Sequence, residues 1–524
     1  MEPIRLTGGL IAEAQADAKG VRSFKGIPYA MPPVGAWRWR APRSGPTWAG
    51  VRPSSQPAPI CSQLRMFSEL DLSASPGSED CLYLNVWTPT RHAGEKLPVF
   101  VWLHGGAYVV GTGGEAPARL AEKGLVVVTF NYRLGVFGFL SHPWLSAESG
   151  HQASGNYGLM DQLEALRWVK ANIAAFGGDP QRIAIAGHSA GSTSVNILMA
   201  SPLAKGLFQR AIAMSGSAMP ASGLGDGSPL PLHIEEAKGV QFADSIGARD
   251  LTALRTLSTD EVLRAGGRRY EDWAWNACID GHVLPAPPAT IFSQGRQNDV
   301  PLLVGWNTHE GAAIGRATFG DDSESFREQI LQRFGPHAAD IFALYPAGSA
   351  DQERAAKVAL GGEGFISYPS WTWARAQRHT GHSPVFVYSF GHRPPFPAGW
   401  SSETTLGDPG AYHGASTLYL FGRFENHPGW GFTNEDRHLS ELLQSYWANF
   451  ARDGDPNGPG LPPWPAYSGE ASSQKLYVEQ DIVRAGVDAE AAHFEALGRV
   501  LRAAPGALSY RGMNVERWMH ATTR

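Results

Sequence analysis

One five-residue stretch constrains this chain more than any other: Gly187-His188-Ser189-Ala190-Gly191. Arg182-Ile183-Ala184-Ile185-Ala186 before it reads as a buried strand, and Thr193 to Met199 after it reads as a helix. A chain that passes from strand to helix in so few residues must turn sharply. The turn brings neighbouring backbone too close for side chains on its flanks. Glycines on either side of the serine meet that need, and the turn lifts the serine hydroxyl clear of the backbone. Alone, this spacing also fits a glycine-rich turn with an idle serine, so a second stretch matters. His104-Gly105-Gly106-Ala107-Tyr108 directly follows the strand-like Pro98-Val99-Phe100-Val101-Trp102-Leu103. Small residues just past a central strand let backbone N–H groups converge on one point. Such donors stabilise the negative oxygen of a tetrahedral acyl intermediate, and losing one typically costs about 10²–10³ in rate. By itself the second stretch is equally a tight turn. Beside a serine elbow it points to acyl chemistry.

A serine nucleophile needs a base, and the base needs an acid to orient it. Seventeen histidines are too many for composition to choose among. Where a serine sits on a strand-to-helix elbow, the partners follow in the order acid, then histidine. Gly305-Trp306-Asn307-Thr308-His309-Glu310-Gly311 follows a strand and sets Glu310 at its C-terminal end. Gly410-Ala411-Tyr412-His413-Gly414 lies in a loop far downstream. Glu310 and His413 are therefore the candidate acid and base. His309 competes with His413 but is read as flanking the acid. His188 abuts Ser189, yet the residue before an elbow serine points away from the hydroxyl, so it is read as a site-wall or supporting residue.

The surrounding pattern sets the frame. Leu82-Tyr83-Leu84-Asn85-Val86-Trp87 alternates like a strand, and Leu125-Val126-Val127-Val128-Thr129-Phe130 fits a strand buried on both faces. Ala211-Ile212-Ala213-Met214, Pro301-Leu302-Leu303-Val304 and Val385-Phe386-Val387-Tyr388 are further strands. Met160 to Phe176 carries a helical stripe stopped by Gly177-Gly178-Asp179-Pro180, and Leu439 to Phe450 marks a late helix. Strands alternating with helices predict an α/β fold with a central, mostly parallel sheet flanked by helices. Residues from about 225 to 300 read as a helix-biased, loop-rich insertion. With no clean linker, residues 1–524 are expected to form a single domain.

Composition removes other classes. A net charge of −5 offers no basic field for nucleic acid or an anionic membrane surface. No apolar run approaches the roughly 20 residues that span a bilayer. Met1-Glu2-Pro3-Ile4-Arg5 lacks a signal-peptide pattern, which predicts a cytoplasmic protein, or a secreted or periplasmic one if a leader was removed. Three cysteines with no C-x-x-C pair argue against a disulfide scaffold and a structural zinc site. No metal or organic cofactor is implied, and the oligomeric state is left open.

Several longer stretches now identify a resemblance. Phe24-Lys25-Gly26-Ile27-Pro28-Tyr29-Ala30 with Pro32-Pro33-Val34-Gly35, Glu79-Asp80-Cys81-Leu82-Tyr83-Leu84-Asn85-Val86-Trp87, Gly155-Asn156-Tyr157-Gly158-Leu159-Met160-Asp161-Gln162 and Asp453-Gly454-Asp455-Pro456-Asn457 occur in order across nearly the whole chain. The sequence resembles the type B carboxylesterases, the α/β-hydrolases that include para-nitrobenzyl esterases and cholinesterases. The resemblance implies an α/β-hydrolase fold and a serine esterase with Ser189 as nucleophile, Glu310 as acid and His413 as base. It further implies that the N–H groups of Gly106, Ala107 and Ala190 form the oxyanion hole. Ser217 would support the acid and histidine by hydrogen bonding. Cys61 and Cys81 would pair as a disulfide, leaving Cys278 as a buried thiol.

The departures from that family matter as much. His188 stands where the family usually has glutamate, Ala107 where many members have glycine, and Ser416 where an acid is common. The extra methyl of Ala107 should narrow the space beside the ester carbonyl and disfavour bulky tertiary-alcohol esters. Cholinesterases hold a quaternary ammonium against a tryptophan in the loop between the matching cysteines. Here that loop, Ser62 to Asp80, has no tryptophan and offers Met66, Phe67, Leu70 and Leu72 instead. The expected substrates are therefore neutral, hydrophobic esters. Amides, carbamates, lactones or a specialised toxin ester on the same machinery are the alternative. A non-catalytic cholinesterase-like binding protein is a further one, against which the intact Ser189, Glu310 and His413 argue.

Overall fold

Buried β-branched and aromatic runs assemble into a ten-stranded sheet in a computed structural model. The structure describes residues 2–508 other than 64–76, 91, 93, 115–117, 222–227, 267–274, 398–405 and 480–481. Met66, Phe67, Leu70 and Leu72 fall outside the described residues. From one edge to the other the strands are Ile482–Val487, Gln474–Glu479, Val385–Phe390, Leu302–Asn307, Arg210–Met214, Gly178–His188, Leu97–Leu103, Val126–Phe130, Tyr83–Thr88 and Arg22–Pro28. The run from Gln474–Glu479 to Val126–Phe130 is parallel throughout. Antiparallel pairings join the outer strands at both ends.

Side chains alternate between two cores, as a period of two requires. Val99, Val101 and Leu103 point into one hydrophobic cluster, whereas Phe100 and Trp102 of the same strand point into the other. Ile183 and Ile185 likewise oppose Ala184 and Ala186. Helices Tyr157–Asn172 and Ala190–Ala200 supply the first cluster, and the long helix Asn434–Asp453 covers the second with Leu439, Leu443, Tyr446, Trp447 and Phe450. Thr433 and Asp436 form a capping box at the start of that helix, and Gly454 ends it with a left-handed φ of 79°.

Element boundaries differ from the sequence expectation in places with physical causes. The helix expected over Met160 to Phe176 is α-helical only to Asn172, then tightens into a 3-10 turn at Ile173–Phe176. Gly177, at φ 80°, ends it, but Gly178 already pairs with Leu97, so the next strand begins earlier than Arg182 and runs 11 residues. Arg22–Pro28 and the hairpin strands Gln474–Glu479 and Ile482–Val487 were not expected. The first is interrupted by a bulge between Phe24 and Ile27, and Ile482–Val487 is an exposed edge without apolar alternation. Among its described residues, the stretch near 225–300 contributes helices and one short parallel pair, Leu230–Pro231 with Cys278–Ile279, and no strand to the large sheet. No described helix is long and apolar enough to cross a membrane.

Candidate active site

The C-terminal ends of neighbouring parallel strands carry the residues singled out above, where open α/β sheets place their ligands. The strand Gly178–His188 ends directly in Ser189, which heads the helix Ala190–Ala200. Ser189 has φ 56° and ψ −122°, a conformation that costs a non-glycine residue of order 1–3 kcal/mol. Its N–H donates to the Met214 carbonyl at 2.9 Å, and its carbonyl accepts from Thr193 N–H at 2.9 Å. Close packing fixes the flanking glycines. A Cβ on Gly187 would lie 2.3 Å from the Gly191 backbone, and one on Gly191 would lie 2.0 Å from the Leu103 carbonyl oxygen. The strain at Ser189 is thus held by backbone with nowhere else to go.

The glycine-rich loop after Leu97–Leu103 packs onto this elbow. A Cβ on Gly105 would meet the His188 carbonyl at 2.8 Å and Ser189 Cβ at 3.2 Å. Gly106, Ala107 and Tyr108 have φ values of 104°, 56° and 62°, a run of left-handed backbone in which Ala107 and Tyr108 carry side chains. The Gly106 carbonyl is tied back to Val109 and Val110, and the Tyr108 hydroxyl hydrogen-bonds Ser194 at 3.0 Å. Among the described residues, the N–H groups of Gly106, Ala107 and Ala190 donate to no protein acceptor. For Ala190 this follows from its place in the first helical turn, whose amides have no intrahelical partner. Behind the loop, His104 stacks on Tyr132, and burial pushes its pKa down to about 4, so it is neutral.

Glu310 begins the helix Gly311–Phe319 just past the strand Leu302–Asn307 and is 2% exposed. Its Oε1 accepts from Asn307 N–H at 2.6 Å, and its Oε2 lies 2.5 Å from His413 Nδ1. A carboxylate oxygen only accepts, so Nδ1 carries the proton and Nε2 is left with its lone pair. His413 comes from the loop between the strand Val385–Phe390 and the helix Ala415–Phe421. Glu310 and His413, 103 residues apart in sequence, are therefore in contact. The Ser189 hydroxyl makes no hydrogen bond among the described residues.

His188 is half-buried and faces His413. Its Nε2 lies 2.7 Å from the His413 carbonyl, and the two rings are 4.6 Å apart. Burial, with the neighbouring His413, pushes the His188 pKa down to about 3. His309 is bonded to the Thr308 hydroxyl and lies against Gly410. The expected support from Ser217 is not seen. Its hydroxyl accepts from Met219 N–H at 3.1 Å and makes no hydrogen bond to Glu310 or His413. Cys61 and Cys81 are joined as a disulfide with Cα atoms 5.0 Å apart, and Cys278 is a buried free thiol. One residue was missed: Asn307, 1% exposed, whose amide donates to the carbonyls of Tyr412 and His413 at 2.7 and 2.9 Å. A polar residue ending a wholly buried strand was its only sequence signal. Among the described residues, no group of three or more His, Cys, Asp or Glu side chains could hold a metal ion.

A serine elbow at the end of a parallel strand, backed by a histidine–carboxylate pair, defines an α/β-hydrolase. A model of the carboxylesterase family matches residues 5–494. Carboxylesterase 1C of Mus musculus is 34% identical over 477 residues, covering 85% of this chain and 83% of that protein. Fumonisin B1 esterase of Sphingopyxis macrogoltabida is 35% identical over 466 residues, covering 85% and 82%. A solved PNB esterase superposes with a TM-score of 0.78 at 31% identity, covering 95% of this chain and 99% of that one. The chain belongs to the carboxylesterase family and is a carboxylic ester hydrolase of the serine type.

Proposed function

We propose that Ser189, Glu310 and His413 are the catalytic triad and that the enzyme acts on neutral, hydrophobic esters. The carrying observation is the 2.5 Å contact of His413 Nδ1 with a buried Glu310, on the same sheet edge as the strained Ser189. Ser189 Oγ attacks the ester carbonyl while His413 Nε2 takes its proton. Glu310 holds the tautomer and stabilises the imidazolium that forms. The carbonyl oxygen, now negative, is received by the N–H groups of Gly106, Ala107 and Ala190. The C–O bond to the alcohol breaks as His413 returns the proton to that oxygen, leaving an acyl-Ser189. Water, deprotonated by His413, attacks the acyl carbon and frees the acid. A fluorophosphonate probe should label Ser189 in the wild type, and labelling elsewhere would overturn the assignment.

The preference for neutral substrates rests on two features. Ser62 to Asp80 holds no tryptophan to face a quaternary ammonium, and the neutral His188 supplies no negative charge beside the nucleophile. An uncharged butyrate thioester should have a higher kcat/KM than butyrylthiocholine of similar size; the reverse order would refute this. The 35% identity to fumonisin B1 esterase favours a second reading, a specialised toxin ester on the same triad. A chromogenic ester panel of graded acyl length, run beside matching anilides and with fumonisin B1 as a competing substrate, separates the two.

A further inference from the structure

We propose that His188 and Asn307 are positioning residues: their side-chain N–H groups converge on the His413 carbonyl and fix where the base stands between Glu310 and Ser189. This rests on the triad reading above and goes beyond it. His413 lies in a loop that follows Gly410, at φ 50°, and its side chain is 24% exposed. A ring held only at Nδ1 could pivot about its contact with Glu310. The backbone clamp removes that freedom. The His413 carbonyl oxygen accepts from His188 Nε2–H at 2.7 Å and from the Asn307 amide at 2.9 Å. The same amide reaches the preceding carbonyl, of Tyr412, at 2.7 Å, and Asn307 N–H holds Glu310 at 2.6 Å. Asn307 thus binds the acid through its main chain and the base's loop through its side chain.

Acceptor chemistry fixes the protonation of the clamp. A carbonyl oxygen donates nothing, so both partners must donate, and His188 is the Nε2–H tautomer. Burial beside His413 keeps its pKa down at about 3, so the donor persists without a charge over the neutral range. The other titratable groups facing this pair are Glu310 at His413 Nδ1, Tyr388 behind Glu310, and His309 against Gly410. The glutamate usual at this position in the family would weaken this chain's clamp in two ways. It has no proton for the His413 carbonyl, and its charge would favour the imidazolium of His413. Since the neutral imidazole is the base, that charge would move the acid limb of kcat/KM to higher pH.

The decisive pair is His188→Gln and His188→Glu, alike in size and different in donor and charge. With folding checked by thermal melting, the Gln variant should keep most of the wild-type kcat. The Glu variant should lose about 10–100-fold in kcat at little change in KM, since misplacement of about 1 Å can cost 10². Its acid limb should rise by about 1 pH unit, while that of the Gln variant stays in place. Asn307→Asp, which exchanges the amide donor for an acceptor, should lose about 10²-fold in kcat. Equal kcat in the Gln and Glu variants, or wild-type kcat in Asn307→Asp, would overturn the clamp. Failure of the triad reading shows separately, as an active Ser189→Ala enzyme or a probe that labels another residue.

Discussion

The two halves of the site are held by different forces. On the proposed nucleophile side, Ser189, Ala190 and the loop Gly105–Tyr108 are placed by backbone sterics: left-handed φ values, and glycines whose Cβ atoms would sit 2.0–2.8 Å from neighbouring main chain. On the proposed acid–base side, Glu310 and His413 are placed by side-chain hydrogen bonds spanning 103 residues of sequence. The first kind of order tolerates no added atom. The second tolerates exchange of one side chain for another that makes the same bonds. One half is a matter of volume and the other of donor and acceptor, which is why the two should respond differently to substitution.

The largest effects test whether both halves serve one reaction. Ser189→Ala and His413→Ala should each lower kcat by about 10⁶, and the double variant should be no worse than either alone. Additive losses would mean that the two residues do not act as a unit. His188→Ala, by contrast, leaves the Asn307 donor on the His413 carbonyl and should retain substantial turnover. A loss comparable to that of His413→Ala would exchange the roles of the two histidines.

Next comes the difference between holding a ring and charging it. Glu310→Gln keeps the volume and can keep a bond to His413, but it removes the negative charge and can present the wrong tautomer. The expected loss in kcat is about 10⁴. A loss below tenfold would show that the carboxylate is structural, leaving the acid–base half without its acid.

How legible each half was follows from the same distinction. The elbow is local: strand, glycine, serine, glycine and helix lie within a few residues, so sterics could be read directly from sequence. The strand Pro98–Leu103, read as one continuous apolar run, was legible for the same reason. Asn307 was not, because its side-chain acceptors lie 105 and 106 residues downstream and nothing local marks them. Ser217 shows the reverse error. Its supporting role was carried over from a resemblance, whereas its hydroxyl is taken up two residues away by Met219 N–H. The edge strand Ile482–Val487 was invisible because an exposed strand needs no apolar alternation.

The disulfide tests whether the oxyanion loop stands by sterics alone. Gln63, two residues after Cys61, grips Gly111 from both sides: its amide donates to the Gly111 carbonyl at 2.9 Å and accepts Gly111 N–H at 2.8 Å. Closing the Cys61–Cys81 loop is worth about 3 kcal/mol in the chain-entropy model. Reduction should lower the unfolding free energy by about that amount, and it should reduce kcat more than it weakens substrate binding. Denatured, unreduced protein should show one free thiol, Cys278; three would refute the bond.

The smallest effect sits where the steric half could be loosened. Ala107 holds φ 56°, in a region that costs an L-residue with a side chain about 1 kcal/mol. Ala107→Gly relieves that cost but frees the unfolded chain by a similar amount, so stability should change by less than about 1 kcal/mol. The consequence should appear in the substrate instead. The methyl stands on a residue whose N–H is assigned to the oxyanion, so removing it opens space beside the ester carbonyl. The ratio of kcat/KM for a tertiary-butyl ester over its primary isomer should rise about tenfold, the lower end of what one methylene is worth in a pocket. An unchanged ratio with unchanged stability would place the methyl away from the alcohol and leave the exclusion of branched esters to another wall.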